Sequence, residues 1–100
     1  MRKITINASK AFWDNEYFKQ DNTMVLNGVM QLHRTNIAIY ADGVLTLNTD
    51  GWYSATTKER LNGVLDRLGY KVYQKKGVWY VYNSQNEESI EFKDGMEFKL

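Results

Sequence analysis

Leu61, Val64, Leu65 and Leu68 stand at i, i+3, i+4 and i+7, one apolar stripe on a 3.6-residue period, and predict a helix over about residues 57–68. Its ends are marked as well. Thr56 and Glu59 have the S/T-x-x-E spacing of a capping box, and Gly69 stands where a left-handed residue closes a helix. An earlier helix is predicted over about residues 9–19, with Asn7 or Ser9 as its N-cap and Phe12, Trp13, Tyr17 and Phe18 on its apolar side. Before it, Ile4 and Ile6 alternate with Thr5 and suggest a short opening strand.

Between and after the helices the pattern is that of strands. Met24-Val25-Leu26, Val29-Met30-Gln31-Leu32, Ile37-Ala38-Ile39-Tyr40 and Val44-Leu45-Thr46-Leu47 are apolar runs, and Asp42-Gly43 is a type I′ hairpin signal between the last two. Beyond Gly69, Val72 to Lys75 and Val78 to Tyr82 flank Lys76-Gly77 as a second hairpin. Ile90 to Phe92 and Met96 to Phe98 flank Asp94-Gly95 as a third. These links are too short for a parallel crossover. The expectation is an α+β fold: one compact domain over residues 1–100, a mostly antiparallel β-sheet of hairpins packed with two α-helices.

Composition narrows the chemistry. At 100 residues there is room for one domain, and 43% hydrophobic against 25% charged residues suits a globular chain that buries a core. With no cysteine and His33 as the only histidine, neither a thiolate nucleophile nor a Cys- or His-built metal site is available, and neither metal nor cofactor is expected. Ser9, Ser54, Ser84 and Ser89 sit in no G-x-S-x-G elbow, no phosphate-binding glycine loop occurs, and the carboxylates are solvated singles or the run Glu87-Glu88. The chain is expected not to be an enzyme. His33, between Leu32 and Arg34 in a predicted strand, reads as a surface or edge residue satisfied by a neighbour. No apolar run is long enough for a membrane span, and Met1-Arg2-Lys3-Ile4-Thr5-Ile6 lacks the apolar core of a signal peptide, which predicts a cytoplasmic protein.

The segment Gly51 to Asn62 is the densest in aromatics, hydroxyls and charges, and it supports two readings. In one, Trp52 plugs the core, Thr56 caps the helix, Glu59 closes the box, and Lys58 and Arg60 solvate its outer face. In the other, Trp52, Ser54, Thr56, Thr57, Lys58, Arg60 and Asn62 form a surface for an anion or a partner's acidic side chains, widened by Arg67 seven residues beyond Arg60. Gly63, in a helix interior where glycine costs about 1 kcal/mol relative to alanine, points to close approach by another backbone or to a strand packed beneath.

The net charge of +1 conceals an uneven distribution. Residues 54–77 carry six cations against Glu59 and Asp66, a surplus of four, whereas residues 84–100 carry five acids against Lys93 and Lys99, a deficit of three. The basic part adjoins an aromatic strand. Lys71, Lys75, Lys76, Trp79 and Tyr82 are therefore the candidates for contact with single-stranded nucleic acid by stacking and phosphate pairing; the competing view is that the aromatics fill a core and Lys75-Lys76-Gly77 is a charged hairpin tip. Fourteen aromatics in so short a chain also raise homo-oligomerisation, with Val78 to Tyr82 as a strand displayed for pairing across a two-fold axis.

The blocks Phe18-Lys19-Gln20-Asp21-Asn22-Thr23-Met24-Val25, Leu32-His33 with Ile37-Ala38, Gly51-Trp52-Tyr53-Ser54-Ala55-Thr56-Thr57-Lys58-Glu59-Arg60-Leu61-Asn62-Gly63 and Tyr73-Gln74-Lys75-Lys76-Gly77-Val78-Trp79-Tyr80 resemble, in order, those of a family of small tailed-bacteriophage proteins. Where that pattern has Leu-His-Gly-Asn before Ile-Ala, this chain has Arg34-Thr35, which predicts that the segment runs on as strand. The resemblance implies a phage origin and an early, accessory or host-directed factor located in the host cytoplasm. The expectation that follows is a non-enzymatic protein that binds a host or phage macromolecule, inhibition of a bacterial defence system being one such role. The alternative is a single-stranded nucleic-acid-binding module using the second hairpin.

Overall fold

The computed structural model describes residues 1–100. In chain order it contains α1 (Lys3–Asp14), β1 (Phe18–Gln20), β2 (Thr23–Leu26), β3 (Val29–Leu32), β4 (Thr35–Ala41), β5 (Val44–Leu47), α2 (Ala55–Leu65), a 3-10 turn (Asp66–Leu68), β6 (Tyr70–Lys75), β7 (Val78–Asn83), β8 (Glu88–Glu91) and β9 (Met96–Lys99). The strands form two sheets, one of six strands in the order β1-β2-β3-β4-β5-β9 and one of three in the order β6-β7-β8. Every pairing is antiparallel, as the short connections require. The α+β class is the one the hydrophobic pattern predicts.

Val25, Met30, Ala38 and Leu47 face one another across β2 to β5 and are buried, and Leu61, Val64 and Leu65 of α2 join them in one core. Burial of each such large aliphatic side chain contributes about 1.5–3 kcal/mol. Helix α1 packs on β1 and β2, and α2 lies between β4 and β6, so both helices cover the same side of the larger sheet.

The opening strand is corrected by the structure. Ile4 and Ile6 belong to α1, which starts at Lys3 and ends at Asn15 in the left-handed region (φ 56°), short of Tyr17 and Phe18. Its buried residues Thr5, Ala8, Ser9 and Phe12 follow i, i+3, i+4 and i+7, while Ile6 is exposed; the small polar residues make the seam, and the alternating isoleucines do not. The seam is narrow because Gly63 of α2 sits against it. A Cβ built on Gly63 would lie 2.6 Å from Thr5 Cγ2 and closer still to Ser9 Oγ, so the helices cross where neither carries bulk.

Helix α2 begins two residues earlier than the apolar stripe predicts, and Ser54, not Thr56, is its N-cap: Ser54 Oγ accepts from the Thr57 amide at 3.1 Å. Glu59 closes no box, because its carboxylate is turned toward α1. The helix tightens into the 3-10 turn and stops at Gly69 (φ 78°), where the sequence places its end. Asp42-Gly43 and Lys76-Gly77 both take positive φ at both positions and form the hairpins predicted at them.

The third hairpin does not form. β8 pairs with β7 and β9 pairs with β5, so the Asp94-Gly95 segment carries the chain from the small sheet to the large one. Gly95 N donates to Leu47 O at 2.7 Å, and Phe92 and Phe98 on either side of the crossing are buried in the core. Nor does the chain run on as strand after Leu32. His33 takes φ 57° and turns the chain between β3 and β4, its amide donating to Asn22 O at 2.6 Å; histidine enters the left-handed region here without a glycine. Finally, Val78 to Tyr82 form the middle strand of the three, bonded on both sides, and are not displayed for pairing.

Candidate functional site

Loop 48–53 between β5 and α2 is braced from below. The Asp94 carboxylate accepts from the Thr49 amide and the Thr49 hydroxyl, both at 2.8 Å, and from the Gly51 amide at 3.4 Å. Asp50 and Gly51 turn with positive φ (53° and 83°), and the Trp52 amide donates to Thr49 O at 2.9 Å. The result is a fixed loop that holds Trp52 out: its side chain is 68% exposed, the largest exposure of any large apolar residue in the chain. It does not plug the core. That place is taken by Trp79, which is 5% exposed and packed edge-on by Tyr53 (5.0 Å) and Phe92 (5.7 Å).

Beside Trp52 a groove of about 520 Å³ runs between the β3–β4 turn and the start of α2. Leu32 and Ile37 form its apolar floor, Thr49, Ser54 and Thr57 contribute hydroxyls, and His33 and Arg34 stand at the rim; no carboxylate lines it. Ser54 Oγ is held by Thr57, through its amide and its hydroxyl at 2.9 Å, and no hydrogen bond joins it to His33. The groove is a receptacle for an apolar or aromatic group attached to an anion. His33, Arg34 and Ile37 are absent from the sequence-based candidates; the signal that points to them is the block Leu32-His33 with Ile37-Ala38, which stands next to the turn.

The other candidates of the 51–62 segment scatter. Thr56 is half-buried on the side of α2. Lys58 is half-buried with Nζ 5.7 Å from the Trp79 ring centroid, on the cavity shared by Ala55, Asn62 and Lys71. Arg67 is exposed at the far end of the helix, its guanidinium 5.3 Å from the Trp13 ring. Asn62 is structural: its Nδ2 donates to Val72 O at 3.0 Å and its Oδ1 accepts from Val72 N at 2.7 Å, so one side chain satisfies both backbone groups of Val72 on the free edge of β6.

Arg60 is the main correction. It is 1% exposed, neither solvating an outer face nor forming a contact surface with Arg67. Its Nε donates to Thr23 Oγ1 at 3.0 Å, and its Nη1 donates to Thr5 Oγ1 at 2.5 Å and to Glu59 Oε1 at 2.8 Å. Glu59 also accepts from Thr5 Oγ1 at 2.5 Å and Arg2 Nε at 2.9 Å. The hydrogen bond from Thr5, with that from Arg2 and the charges of Arg2 and Arg60, holds the Glu59 carboxyl below the usual range against the opposing effect of burial. Burial pushes the Arg60 guanidinium down and Glu59 opposes it.

In the second candidate set, alternation separates the residues. Lys71, Tyr73, Lys75, Tyr80 and Tyr82 share the outer face of β6–β7, where Tyr73 and Tyr80 stack at 5.5 Å, whereas Trp79 lies on the inner face and Lys76 at the tip. Trp79 is thereby removed from any stacking surface, and Glu91 of β8 stands opposite Tyr80. No helix is long and apolar enough to cross a membrane.

Comparison with known proteins adds one finding. A family described as Kyanoviridae Gp96 protein matches residues 1–99. Nothing matches among curated proteins, and nothing among solved structures. A match over nearly the whole chain, on a fold with one continuous core, shows that the chain belongs to the Kyanoviridae Gp96 family of phage proteins.

Proposed function

We propose that this is a non-enzymatic phage accessory protein that works in the host cytoplasm by binding a host or phage protein through the groove beneath Trp52. The observation that carries this reading is the exposed indole on a loop clamped by Asp94, above an apolar floor and beside two basic residues with no acid among them. Holding a tryptophan in water at that exposure gains nothing for the fold, while tryptophan and arginine are the side chains that dominate protein interfaces once desolvated. The partner's chemistry follows: an apolar or aromatic side chain for the floor, next to a carboxylate for His33 and Arg34. A factor of a bacterial defence system is one class of partner such a binder would block.

The test is affinity capture from infected and uninfected host lysate with wild-type protein, Trp52→Ala and Arg34→Ala. Trp52→Ala is expected to lose the specific partner, an effect of about 2 kcal/mol or more in binding, while the melting temperature stays close to wild type. Equal capture by wild type and Trp52→Ala overturns the reading. Arg60 is the wrong probe, since it is buried and bonded to Thr5, Thr23 and Glu59, and its removal is expected to destabilise the fold rather than alter the surface.

A second reading has its own support. The outer face of β6–β7 presents tyrosine rings beside Lys71 and Lys75, an arrangement suited to single-stranded nucleic acid. It requires a gel shift at low salt that weakens steeply as salt rises and disappears in the Lys71→Ala, Lys75→Ala double variant. No shift with RNA or DNA at low salt removes it.

A further inference from the structure

The six-stranded sheet has two faces and only one is covered. Both helices pack on the side of Val25, Met30, Ala38 and Leu47. The opposite side of an antiparallel sheet that met only water would alternate to polar residues. Here Leu26 of β2, Val29 of β3 and Ile39 of β4 stand side by side by register in one row that continues through Thr46 to Glu97, with Met24 of β2, between Lys19 and Gln31, in the row on one side and Val44 of β5, between Ala41 and Lys99, in the row on the other. Leu26 is 45% exposed. An apolar stripe of this kind, rimmed by charge, marks an interface.

The rim says what covers it. Lys19 of β1 lies at one end of the sheet and Glu97 of β9 at the other, both exposed, both on the uncovered face and neither paired within the chain. We propose that two copies of this chain pack these faces together about a two-fold axis running parallel to the strands between β3 and β4. That operation lays β1 of one copy over β9 of the other and brings Lys19 within one row of the partner copy's Glu97, at both ends at once; Lys99 lies a further row away. The alternative axis, perpendicular to the strands, sets lysine over lysine and glutamate over glutamate. The apolar rows meet in the middle as the inner faces of a β-sandwich do. The face is distinct from the groove under Trp52, so the two proposals stand or fall separately.

Sedimentation equilibrium and light scattering across a wide concentration range test this on the full chain, with circular dichroism confirming that each variant is folded. Wild type is expected to behave as a dimer of the 11.7 kDa chain. Leu26→Lys, at an exposed position that tolerates a long polar side chain, is expected to raise the dissociation constant at least tenfold. Lys19→Glu and Glu97→Lys are each expected to weaken the dimer several-fold, and the double variant to return it to the wild-type value. A monomer at all concentrations overturns the proposal. So does a dimer unmoved by Leu26→Lys, or a charge reversal in which the double variant is weaker than either single one.

Discussion

Arg60 is a charge taken out of water, and what keeps it there is a set of small neighbours: Thr5, Thr23 and the single carboxylate of Glu59. Removing one member of such a buried cluster costs more than the pair contributes, because the rest is left unsatisfied. Arg60→Ala is expected to lose about 3 kcal/mol or more in chemical denaturation. Glu59 adds a pH signature. Its carboxyl is held lower in the folded protein than in the unfolded chain, so the stability it contributes is present above the ordinary glutamate value of about 4.3 and is lost as pH falls below it through the folded value. Glu59→Gln is expected to be less stable than wild type at neutral pH and to lose less on acidification between about pH 4.5 and 3; parallel pH profiles for the two proteins would contradict this. The sequence offers Arg60 as a surface cation, since an arginine in the first turns of a helix, four residues after the predicted cap Thr56, is mostly exposed. Only the crossing of α1 reveals that the position faces inward.

Gly63 was legible as a close approach, and the approach is now specific. Replacing glycine by alanine inside an exposed helix gains about 1 kcal/mol, but here the added methyl meets Thr5 and Ser9, and overpacking costs about 1–3 kcal/mol. The cost wins: Gly63→Ala is expected to be net destabilising, with part recovered in Gly63→Ala, Ser9→Ala, which removes the nearest atom. A more stable Gly63→Ala would show that the helices do not meet there.

Among the elements, most whose signals are local were readable, although the turn at Asn27-Gly28 that joins β2 and β3 as a hairpin is absent from the hairpins the pattern names. Two hairpins follow from Asp42-Gly43 and Lys76-Gly77, whose backbones must take positive φ, and α2 follows from its leucine stripe. The elements that failed depend on distant partners. α1 was obscured because its buried face is made of Thr5, Ala8 and Ser9, residues that carry little hydrophobic signal and are chosen to fit Gly63. The Asp94-Gly95 turn looks like a hairpin locally, yet Asp94 is recruited to the loop before α2, a contact 45 residues away in sequence. Asp94→Ala removes the acceptor of that loop and is expected to cost about 1–2 kcal/mol and to quicken amide exchange at Thr49 and Gly51. Protection at those amides equal to wild type would mean the loop is held otherwise.

At the scale of the molecule, the neutral total charge and the abundant aromatics resolve into places. Trp79, Phe92 and Tyr53 are consumed in joining the small sheet to the rest, and the basic surplus of residues 54–77 is divided among a buried arginine, a helix end and a sheet face. The candidate site was half legible: Trp52, Ser54 and Thr57 come from the segment that stood out, but His33 and Arg34 reach it from a turn whose geometry depends on Asn22. The most direct measurement of the central claim is site-specific photocrosslinking in infected cells, with a photoreactive side chain in place of Thr35, which lines the groove while Trp52 stays intact, or, as a control on the opposite sheet, at position 80. The account requires one discrete protein adduct from position 35 and none from position 80. An adduct from position 80 alone, or adducts to nucleic acid alone, would contradict it.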